Sequence, residues 1–304
     1  MTRHCFRAWW PPGFVLLVAV MVALVTLRTS AQESYSYATG QNIVPVYEGW
    51  EQNSDGSFNL VFGYFNRNWE EVIDIPPGPN NNIDPGGPDW EQPTRFFPRR
   101  SRFVFRIRVP ADFGAQELVW TLTSNGKTER AYATLIPEYL IDNLIIMANN
   151  GMGTALDQTL QGNEAPTLQV EGGAARTARV GQPVTLTAFV SDDDVPSPRG
   201  LPASSPGRPG TITAVGSRGL RVSWFVYRGS GRVTFDPPQT KVWADTREGA
   251  NSPWAPGWSP PSVPEDGRWV VRATFANPGT YVLQCLAHDG GLMTSANVTF
   301  VVDH

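Results

Sequence analysis

The sequence predicts a mostly β protein that contains two β-sandwich-like domains. Apolar and polar residues alternate over several short segments, which is the period of a strand that buries one face. The composition agrees, because 29 Gly and 27 Pro occur in a chain of 304 residues of which only 17% are charged. This mix is typical of short strands joined by turns and argues against a coiled coil. The length corresponds to about two domains at ~150 residues each.

The N-terminal segment has the pattern of an export signal. Arg3 and Arg7 precede an apolar run over residues 14–27, and small residues up to Ala31 fit a cleavage site. The run is shorter than the roughly 20 residues that a membrane span needs. We therefore predict that residues 1–31 are a signal peptide and that the mature protein is periplasmic or secreted. Retention of the segment as an N-terminal membrane anchor is the alternative.

Charge and cysteine content exclude some classes of protein. The formal net charge is −4 at pH 7, which excludes a nucleic-acid-binding protein of the usual basic kind. Removal of residues 1–31 takes away three arginines and no acidic residue, so the mature chain would carry a charge of −7. It also removes Cys5 and leaves Cys285 alone. No intrachain disulfide can then form, and stability must come from burial.

Residues 32–148 are predicted to form an N-terminal β-rich domain. Alternation over residues 58–64 and 103–109 predicts two half-buried strands. The dipeptide Asn125-Gly126 lies between two further apolar runs. It predicts a hairpin, because both residues accept the positive φ angles of a tight turn.

Three segments interrupt this pattern of strands. Residues 76–98 are dense in Pro, Gly and Asn and are expected to form a long loop, a kind of segment that is often functional. Residues 139–148 carry apolar side chains at helical spacing, which predicts a short helix, with a strand as the alternative. Residues 149–165 are rich in Gly, Asn, Gln and Thr and are predicted to be a linker.

Residues 166–304 are predicted to form a second β-sandwich. About seven short strands suit this architecture, and two long Pro- and Gly-rich insertions, residues 192–219 and 236–267, are expected to extend from its ends. The clearest strands lie near residues 184–190, 220–226, 269–275, 281–287 and 298–302, with shorter ones near Leu168 and Val233.

Three motifs of this second domain resemble those of polycystic-kidney-disease (PKD) repeat domains. They are Ala165-Pro166-Thr167-Leu168 with residues 180–186 and 191–194; Val222-Ser223-Trp224; and residues 279–283, 289–291 and 298–302. The resemblance covers about residues 165–302. It departs from the family in both insertions and lacks the usual acidic-glycine turn after the tryptophan. It implies an immunoglobulin-like extracellular module for adhesion, spacing or polysaccharide contact, although fold analogy alone does not carry a function across.

The N-terminal half is similar to a recurring domain of uncharacterised secreted bacterial proteins. Residues 46–50, 62–71 and 98–103 carry this similarity. No activity comes with it, so it implies a β-rich domain and nothing further.

The sequence contains no established catalytic motif. Gly-x-Ser-x-Gly, His-Glu-x-x-His and a phosphate-cradling glycine-rich loop do not occur in it. Cys285 and His288 are three residues apart on a predicted strand, so their side chains point to opposite faces and cannot form a nucleophilic pair locally. We interpret Cys285 as a buried core thiol and expect no enzymatic activity.

Aspartates follow two predicted strands of the second domain. Asp192, Asp193 and Asp194 end one strand, and Asp289 ends another before two glycines. Strand ends of a sandwich can converge at one pole, and Ca²⁺ takes six to eight oxygen ligands. These acids, together with carbonyl groups, are therefore candidate ligands of a structural Ca²⁺ ion. The alternative is that they cap turns through hydrogen bonds to the backbone. No other cofactor is expected.

Tryptophans in loop-like segments are the candidate ligand-binding residues. Exposed aromatic rings stack on the apolar faces of sugars and also anchor protein interfaces. The alternative is that these rings close the ends of the two sandwiches. The candidates are Trp50, Trp69, Trp90, Trp254 and Trp258.

One stretch of the chain is rich in arginine. Because Arg106 and Arg108 share a strand face, a solvated sheet face is the simple interpretation of this stretch. Contact with an anionic polymer or an acidic partner is the alternative. The arginines are Arg95, Arg99, Arg100, Arg102, Arg106 and Arg108.

These observations favour a non-enzymatic exported module that mediates protein contacts at the bacterial envelope or outside the cell. Its surface loops are the expected contact sites, because loops on a rigid scaffold carry recognition. The alternative is a polysaccharide-binding module that uses the exposed tryptophans. The expected partner is an envelope or extracellular protein, with polysaccharide as the alternative and no nucleic acid. Membrane contact is expected only through an uncleaved N-terminal segment.

Overall fold

Strands dominate the part of the chain that the structure describes. The structure, a computed structural model, describes residues 37–152, 160–203, 217–250, 252 and 254–304. The predicted signal peptide lies outside these residues, as do parts of the predicted linker and of the first insertion. Within the described residues, no helix is both long enough and apolar enough to cross a membrane.

Eight strands build the N-terminal part. They are β1 (Ile43–Gln52), β2 (Phe58–Asn66), β3 (Ile73–Asp74), β4 (Asn81–Asp84), β5 (Arg95–Phe96), β6 (Arg99–Val109), β7 (Leu118–Ser124) and β8 (Lys127–Ala133). One sheet has the order β1-β2-β6 and a second has the order β4-β7-β8, while β3 pairs with β5. All of these pairs are antiparallel.

Aromatic side chains fill the space between the two larger N-terminal sheets. Trp120 of β7 is fully buried and meets the rings of Phe62 and Phe105 edge-on. Phe62 of β2 and Phe105 of β6 stack on each other at a centroid distance of 5.1 Å. Since Trp120 belongs to one sheet and the two phenylalanines to the other, these contacts make the N-terminal part a sandwich.

The predicted hairpin is confirmed. Asn125 and Gly126 have φ angles of 47° and 73° and connect β7 to β8, with Ser124 opposite Lys127. Positive φ at both central residues matches the right-handed twist of the flanking strands, which explains why Asn-Gly occurs here.

The segment 76–98, expected to be a long ordered or half-ordered loop, contributes β4 to the second sheet. Asn81, the first residue of β4, is fully buried. Its side-chain amide donates to the carbonyl oxygens of Ile75 at 3.0 Å and Pro93 at 2.9 Å, and its Oδ1 accepts from Nε1 of Trp120 at 3.0 Å. Polar bonds to the backbone organise this segment, and hydrophobic periodicity does not reveal such bonds.

Eight further strands build the C-terminal part. They are β9 (Thr167–Val170), β10 (Ala175–Arg179), β11 (Pro183–Ser191), β12 (Arg221–Arg228), β13 (Val233–Asp236), β14 (Arg268–Phe275), β15 (Gly279–His288) and β16 (Met293–Asp303). β10 was not predicted, because residues 175–179 hold arginines and small residues without an apolar alternation.

The strand order of the C-terminal part is that of an immunoglobulin-like sandwich. One sheet has the order β9-β11-β14-β13 and the other β10-β16-β15-β12. The first corresponds to the four-stranded sheet of an immunoglobulin constant domain and the second contains its three-stranded sheet, with β10 added. β10 runs parallel to β16. Trp224 of β12 and Cys285 of β15 lie in the core, exposed by 1% and 0%.

The two sandwiches pack against each other within one compact unit that spans residues 37–304. Tyr227 of β12 is buried in the core of the N-terminal sandwich. The backbone N–H of Thr94 donates to the carbonyl oxygen of Tyr227 at 3.2 Å, and Oγ1 of Thr94 accepts from the N–H of Gly229 at 3.0 Å. The segment that ends near residue 98 therefore connects the two sandwiches.

A short helix follows the N-terminal sandwich. A 3₁₀ turn (Pro137–Tyr139) precedes helix α1 (Asn143–Asn149), which is shorter than the predicted helix because Asp142 caps it by accepting from the N–H of Ile145 at 2.9 Å. The helix buries Ile146 and Met147 in a third cluster with Leu160 and Leu292. The helix is confirmed, but three of the four residues whose spacing predicted it, Leu144, Ile145 and Ala148, are exposed.

Candidate functional site

The thiol and the imidazole near the end of β15 are not arranged for nucleophilic catalysis. Burial raises the pKa of Cys285 to about 12, so the sulfur remains a neutral thiol at physiological pH. Burial also lowers the pKa of His288 well below its usual value, and its Nδ1 accepts a hydrogen bond from the N–H of Gly290 at 2.7 Å. The interpretation of Cys285 as a core thiol is confirmed.

Two of the four candidate aspartates cap turns. Asp193 accepts hydrogen bonds from the N–H of Val195 at 2.9 Å and of Glu164 at 3.0 Å. Oδ1 of Asp289 accepts from the backbone N–H groups of Gly291 and Leu292. These are the turn-capping bonds that the sequence offered as an alternative to metal binding.

Two other carboxylate oxygens of these aspartates lack hydrogen bonds within the described part of the chain. Oδ1 of Asp192 and Oδ2 of Asp289 are buried and have no hydrogen-bond partner among the described residues. Burial raises the pKa of Asp192 to about 7, and the charge of Asp289 is the second-largest cause of this increase. Burial also raises the pKa of Asp289 to about 6, against the hydrogen bonds that lower it. Burial therefore disfavours the charged form of both carboxyl groups, and the charge of Asp289 further disfavours that of Asp192.

Two more buried oxygen-bearing side chains flank Asp289. Oδ1 of Asn163 and Oγ of Ser217 have no hydrogen-bond partner among the described residues. The Asn163 amide lies against Gly291, and the Ser217 carbonyl lies against Gly290. The described part of the chain contains no group of three or more His, Cys, Asp or Glu side chains that could hold a metal ion. A cation at this pole would therefore need amide, hydroxyl or carbonyl ligands beside the carboxylates.

Two candidate tryptophans near the N-terminal sandwich are held by neighbouring groups. Trp50 donates from Nε1 to the carbonyl oxygen of Ile136 at 2.8 Å and meets the ring of Phe58 edge-on at 5.4 Å. The guanidinium group of Arg99 lies 4.0 Å from the ring centroid of Trp69 and covers one of its faces. These contacts give both rings a structural role.

The other three candidates differ in exposure. Trp90 is half-buried and packs so closely over Gly86 that a Cβ atom there would lie 2.4 Å from the indole ring. Trp258 is half-buried and its backbone pairs with that of Leu201. Trp254 is 69% exposed, which makes it the candidate ring most accessible to a ligand.

Sequence reasoning missed an exposed apolar surface between the N-terminal sandwich and α1. We name this group the apolar surface. Its side chains are each 39–49% exposed although all five are large and apolar. Helical spacing in the sequence predicts the helix that carries some of them, but it does not show which side of that helix faces solvent. The residues are Ile136, Tyr139, Leu140, Leu144 and Ile145.

Neighbouring aromatic residues fix the position of the apolar surface. The ring of Tyr139 meets that of Tyr47 edge-on at 5.6 Å. The backbone N–H of Ile141 donates to the carbonyl oxygen of Trp50 at 2.9 Å. Tyr47 and Trp50 belong to β1, so the apolar surface is attached to a strand of the sandwich.

Most of the arginine-rich stretch is neutralised by acidic partners. Ion pairs join Arg95 to Asp74, Arg100 to Glu48, Arg106 to Glu51 and Arg108 to Asp55. Arg102 differs, because its side chain has no hydrogen bond or ion pair with another described residue. Burial and the neighbouring positive charge of Arg100 lower the pKa of Arg102, against the attraction of Glu48, which raises it.

Comparisons with known proteins do not assign this chain to a family. No protein-family model matches it, and no curated protein matches it. Similar solved structures include a conjugative transposon lipoprotein from Bacteroides eggerthii DSM 20697 (11% identity, 44% of this chain and 95% of that chain, TM-score 0.26). They also include the D00-D0 domain of intimin (11%, 86% and 100%, TM-score 0.22) and Sidekick-1 immunoglobulin domains 1–4 (11%, 88% and 51%, TM-score 0.23). At these scores no functional argument follows, and the fold assignment rests on the strand order described above.

Proposed function

We propose that this chain is a non-enzymatic exported module that mediates protein contacts at the bacterial envelope or outside the cell. The observation that supports this proposal is the apolar surface. Scattered single apolar residues are normal on a protein exterior, but a contiguous apolar group is typical of an interaction site. The five side chains lie within ten consecutive residues of the chain. The proposed occupant is a partner protein with a complementary apolar patch.

The local packing supports a role in recognition. The ring of Tyr139 packs edge-on against that of Tyr47, and the backbone N–H of Ile141 donates a hydrogen bond to Trp50 of β1. Side chains that are already held by the scaffold lose less conformational entropy when a partner binds. Large apolar and aromatic residues at the centre of an interface also supply most of its binding energy. Tyr139 meets the first condition, and the large apolar side chains of the surface are of the kind that the second requires.

Export is supported by the sequence pattern of residues 1–31. A positively charged start, a short apolar run and small residues before the expected cleavage site characterise secretory signals. The PKD-like character of the C-terminal sandwich points in the same direction, since such modules are extracellular. Periplasmic or secreted location is therefore part of the proposal.

Site-specific photo-crosslinking tests the protein-contact proposal. A benzophenone amino acid replaces Leu144 in the apolar surface, and a matched control replaces Val270, which is 40% exposed on β14 of the other sandwich. Irradiation of the native cell envelope is expected to give one discrete heterologous adduct at position 144 and none at position 270. Identical adduct patterns at both positions, or adducts only with copies of this chain, would contradict the proposal.

A polysaccharide-binding module is the second candidate function, favoured by the exposure of Trp254. An exposed indole ring offers a flat apolar face for sugar stacking. An oligosaccharide panel is expected to shift tryptophan fluorescence, and Trp254→Ala is expected to abolish the shift. Val263→Ala, at an exposed apolar position nearby in sequence, is the matched control. Persistence of the shift in Trp254→Ala would remove this ring from the proposal.

We also propose that a structural Ca²⁺ ion binds at the end of the C-terminal sandwich that carries Asp192, Asp193, Asp194 and Asp289. We name this site the aspartate pole. Asp192 and Asp289 would supply carboxylate oxygens, with Asp193 and Asp194 on the same turn as Asp192. The buried Oδ1 atom of Asn163 adds a neutral ligand that suits Ca²⁺, which binds amide and carbonyl oxygens. A cation there would favour the charged form of both carboxyl groups, which burial disfavours.

A further inference from the structure

A cavity between the two sandwiches has a positively charged lining. Its volume is about 410 Å³, within the range of small-molecule sites, roughly 300–1,000 Å³. Strand β6 contributes Arg100, Arg102 and Arg106, β12 contributes Arg221, and the second insertion contributes Lys241. None of the described residues that line the cavity is an aspartate or a glutamate. The cavity is therefore unusual in a chain whose net charge is negative.

Acidic neighbours neutralise two of the three β6 arginines. Arg100 pairs with Glu48 at 2.7 Å and Arg106 with Glu51 at 2.9 Å, and both acids lie on β1. Arg102 has no ion pair with another described residue, although the charge of Glu48 attracts it. It is partly buried, and no side-chain hydrogen bond to a described residue replaces the water that its guanidinium group has lost.

Arg221 and Lys241, the cationic side chains that the C-terminal sandwich contributes, also have weak hydrogen bonds. Arg221 is 8% exposed, and its side chain makes one hydrogen bond within the described residues, from Nη1 to the carbonyl oxygen of Gly219 at 3.4 Å. Its guanidinium group also lies 5.9 Å from the ring centroid of Trp258. The charge of Asp289 attracts it, but burial still lowers its pKa to about 10. Nζ of Lys241 donates to the carbonyl oxygen of Arg247 at 3.4 Å. Arg221 therefore remains charged at neutral pH, and both side chains have N–H groups that can donate to an anion.

Aromatic rings from both sandwiches form another part of the lining. Phe97 stacks on Trp243 with a centroid distance of 5.5 Å and an interplanar angle of 17°. Phe225 of β12 meets Phe97 edge-on at 5.5 Å. All three rings are half-buried and line the cavity. Such faces favour a flat ring as the apolar part of a ligand.

We propose that the cavity binds one small aromatic anion, with its carboxylate, sulfonate or phosphate group near Arg102 and Arg221 and its ring on the wall of Phe97, Phe225 and Trp243. An anion supplies the acceptors that the guanidinium groups lack, and bidentate bonds between guanidinium and an oxyanion are among the strongest hydrogen bonds. The proposal is independent of the protein-contact function, because no residue of the apolar surface lines the cavity.

Titration with two related dyes tests this proposal. The probe is 8-anilinonaphthalene-1-sulfonate, an aromatic anion, and its uncharged counterpart is N-phenyl-1-naphthylamine. Calorimetry on the full chain is expected to show one saturable site for the sulfonate and at least tenfold weaker binding of the amine. Raising the ionic strength is expected to weaken only sulfonate binding, because salt screens partly exposed charges.

Matched variants locate the site. Arg102→Gln is expected to weaken sulfonate binding about tenfold or more. Arg108→Gln, on the same strand but 63% exposed and outside the cavity lining, is expected to leave it unchanged. Lys241→Gln, from the other sandwich, is the second test if Arg102→Gln does not fold. Equal affinity for the two dyes, multiple unsaturable sites, or less than twofold loss in both cavity variants would overturn the proposal.

Discussion

Tyr227 of β12 donates its phenolic hydrogen to the carbonyl oxygen of Glu91 at 2.9 Å. The two residues lie on different sandwiches, and burial raises the pKa of this phenol far above its usual value. Because its aromatic ring is part of the N-terminal core, one side chain contributes both apolar burial and a polar bond to the contact between the sandwiches.

Tyr227→Phe is expected to destabilise the whole unit while leaving its fold intact. The variant keeps the buried ring and loses one hydrogen bond, which costs about 1 kcal/mol. For a unit of this size the melting temperature falls by roughly 2–4 °C. Tyr132→Phe, at an exposed tyrosine, is the control and is expected to have no effect. Calorimetry checks both, and an unchanged melting temperature for Tyr227→Phe would contradict the role of this bond.

Asn81→Ala is expected to be far more damaging than the same change at the next residue. It removes three hydrogen bonds among buried groups, at about 1 kcal/mol each, and lowers the urea midpoint accordingly. The side chain of Asn82 bonds only the exposed side chain of Asp84 within the described residues, so Asn82→Ala is expected to change stability by less than about 0.5 kcal/mol. Similar urea midpoints for the two variants would contradict the packing described for β4.

Leu144→Ser and Ile146→Ser are expected to separate binding from stability. Leu144 is 45% exposed and Ile146 is 6% exposed on the same helix. The first change should leave the urea midpoint within about 0.5 kcal/mol of wild type, yet weaken partner binding. The second should cost about 2–5 kcal/mol, because it empties a buried site and places a hydroxyl there. A large loss of stability in Leu144→Ser would show that this side chain is core.

Millimolar Ca²⁺ is expected to raise the melting temperature if the aspartate pole binds it. At a concentration about 50 times the dissociation constant, the gain is about 2 kcal/mol, or roughly 4–8 °C. Asp192→Asn and Asp289→Asn are each expected to remove the gain, and Asp303→Asn, an exposed aspartate at the end of β16, is expected to keep it. Addition of a chelator should reverse the effect, and an unchanged melting temperature would remove the calcium proposal.

Thiol labelling tests both the buried thiol and the fate of residues 1–31. Cys285 is fully buried with a pKa raised to about 12, so iodoacetamide at pH 8 is expected not to label it before unfolding. The full chain contains only Cys5 and Cys285. The unfolded exported protein is therefore expected to show one thiol, and a second thiol would show that the N-terminal segment is retained.

Local sequence signals predicted much of the fold but little of the candidate sites. The Asn125-Gly126 hairpin and the Trp224 strand were predictable because turn chemistry and alternation act over a few neighbouring residues. The environments of the tryptophans were not, since Trp69 meets Arg99 and Trp90 covers Gly86 only after the chain folds. Trp69 and Trp90 are thereby half-buried, whereas Trp254 is 69% exposed.

By itself the sequence determined a mostly β chain with an immunoglobulin-like C-terminal sandwich and a core thiol, because strand periodicity and buried residue types are local properties. Which arginines form an ion pair depends on the tertiary structure. Arg102 and Arg221 line one cavity although 118 intervening residues separate them in the chain, while Arg100 finds Glu48 on a neighbouring element. Ion pairing depends on distances of a few ångströms between distant segments, and no local pattern encodes such distances.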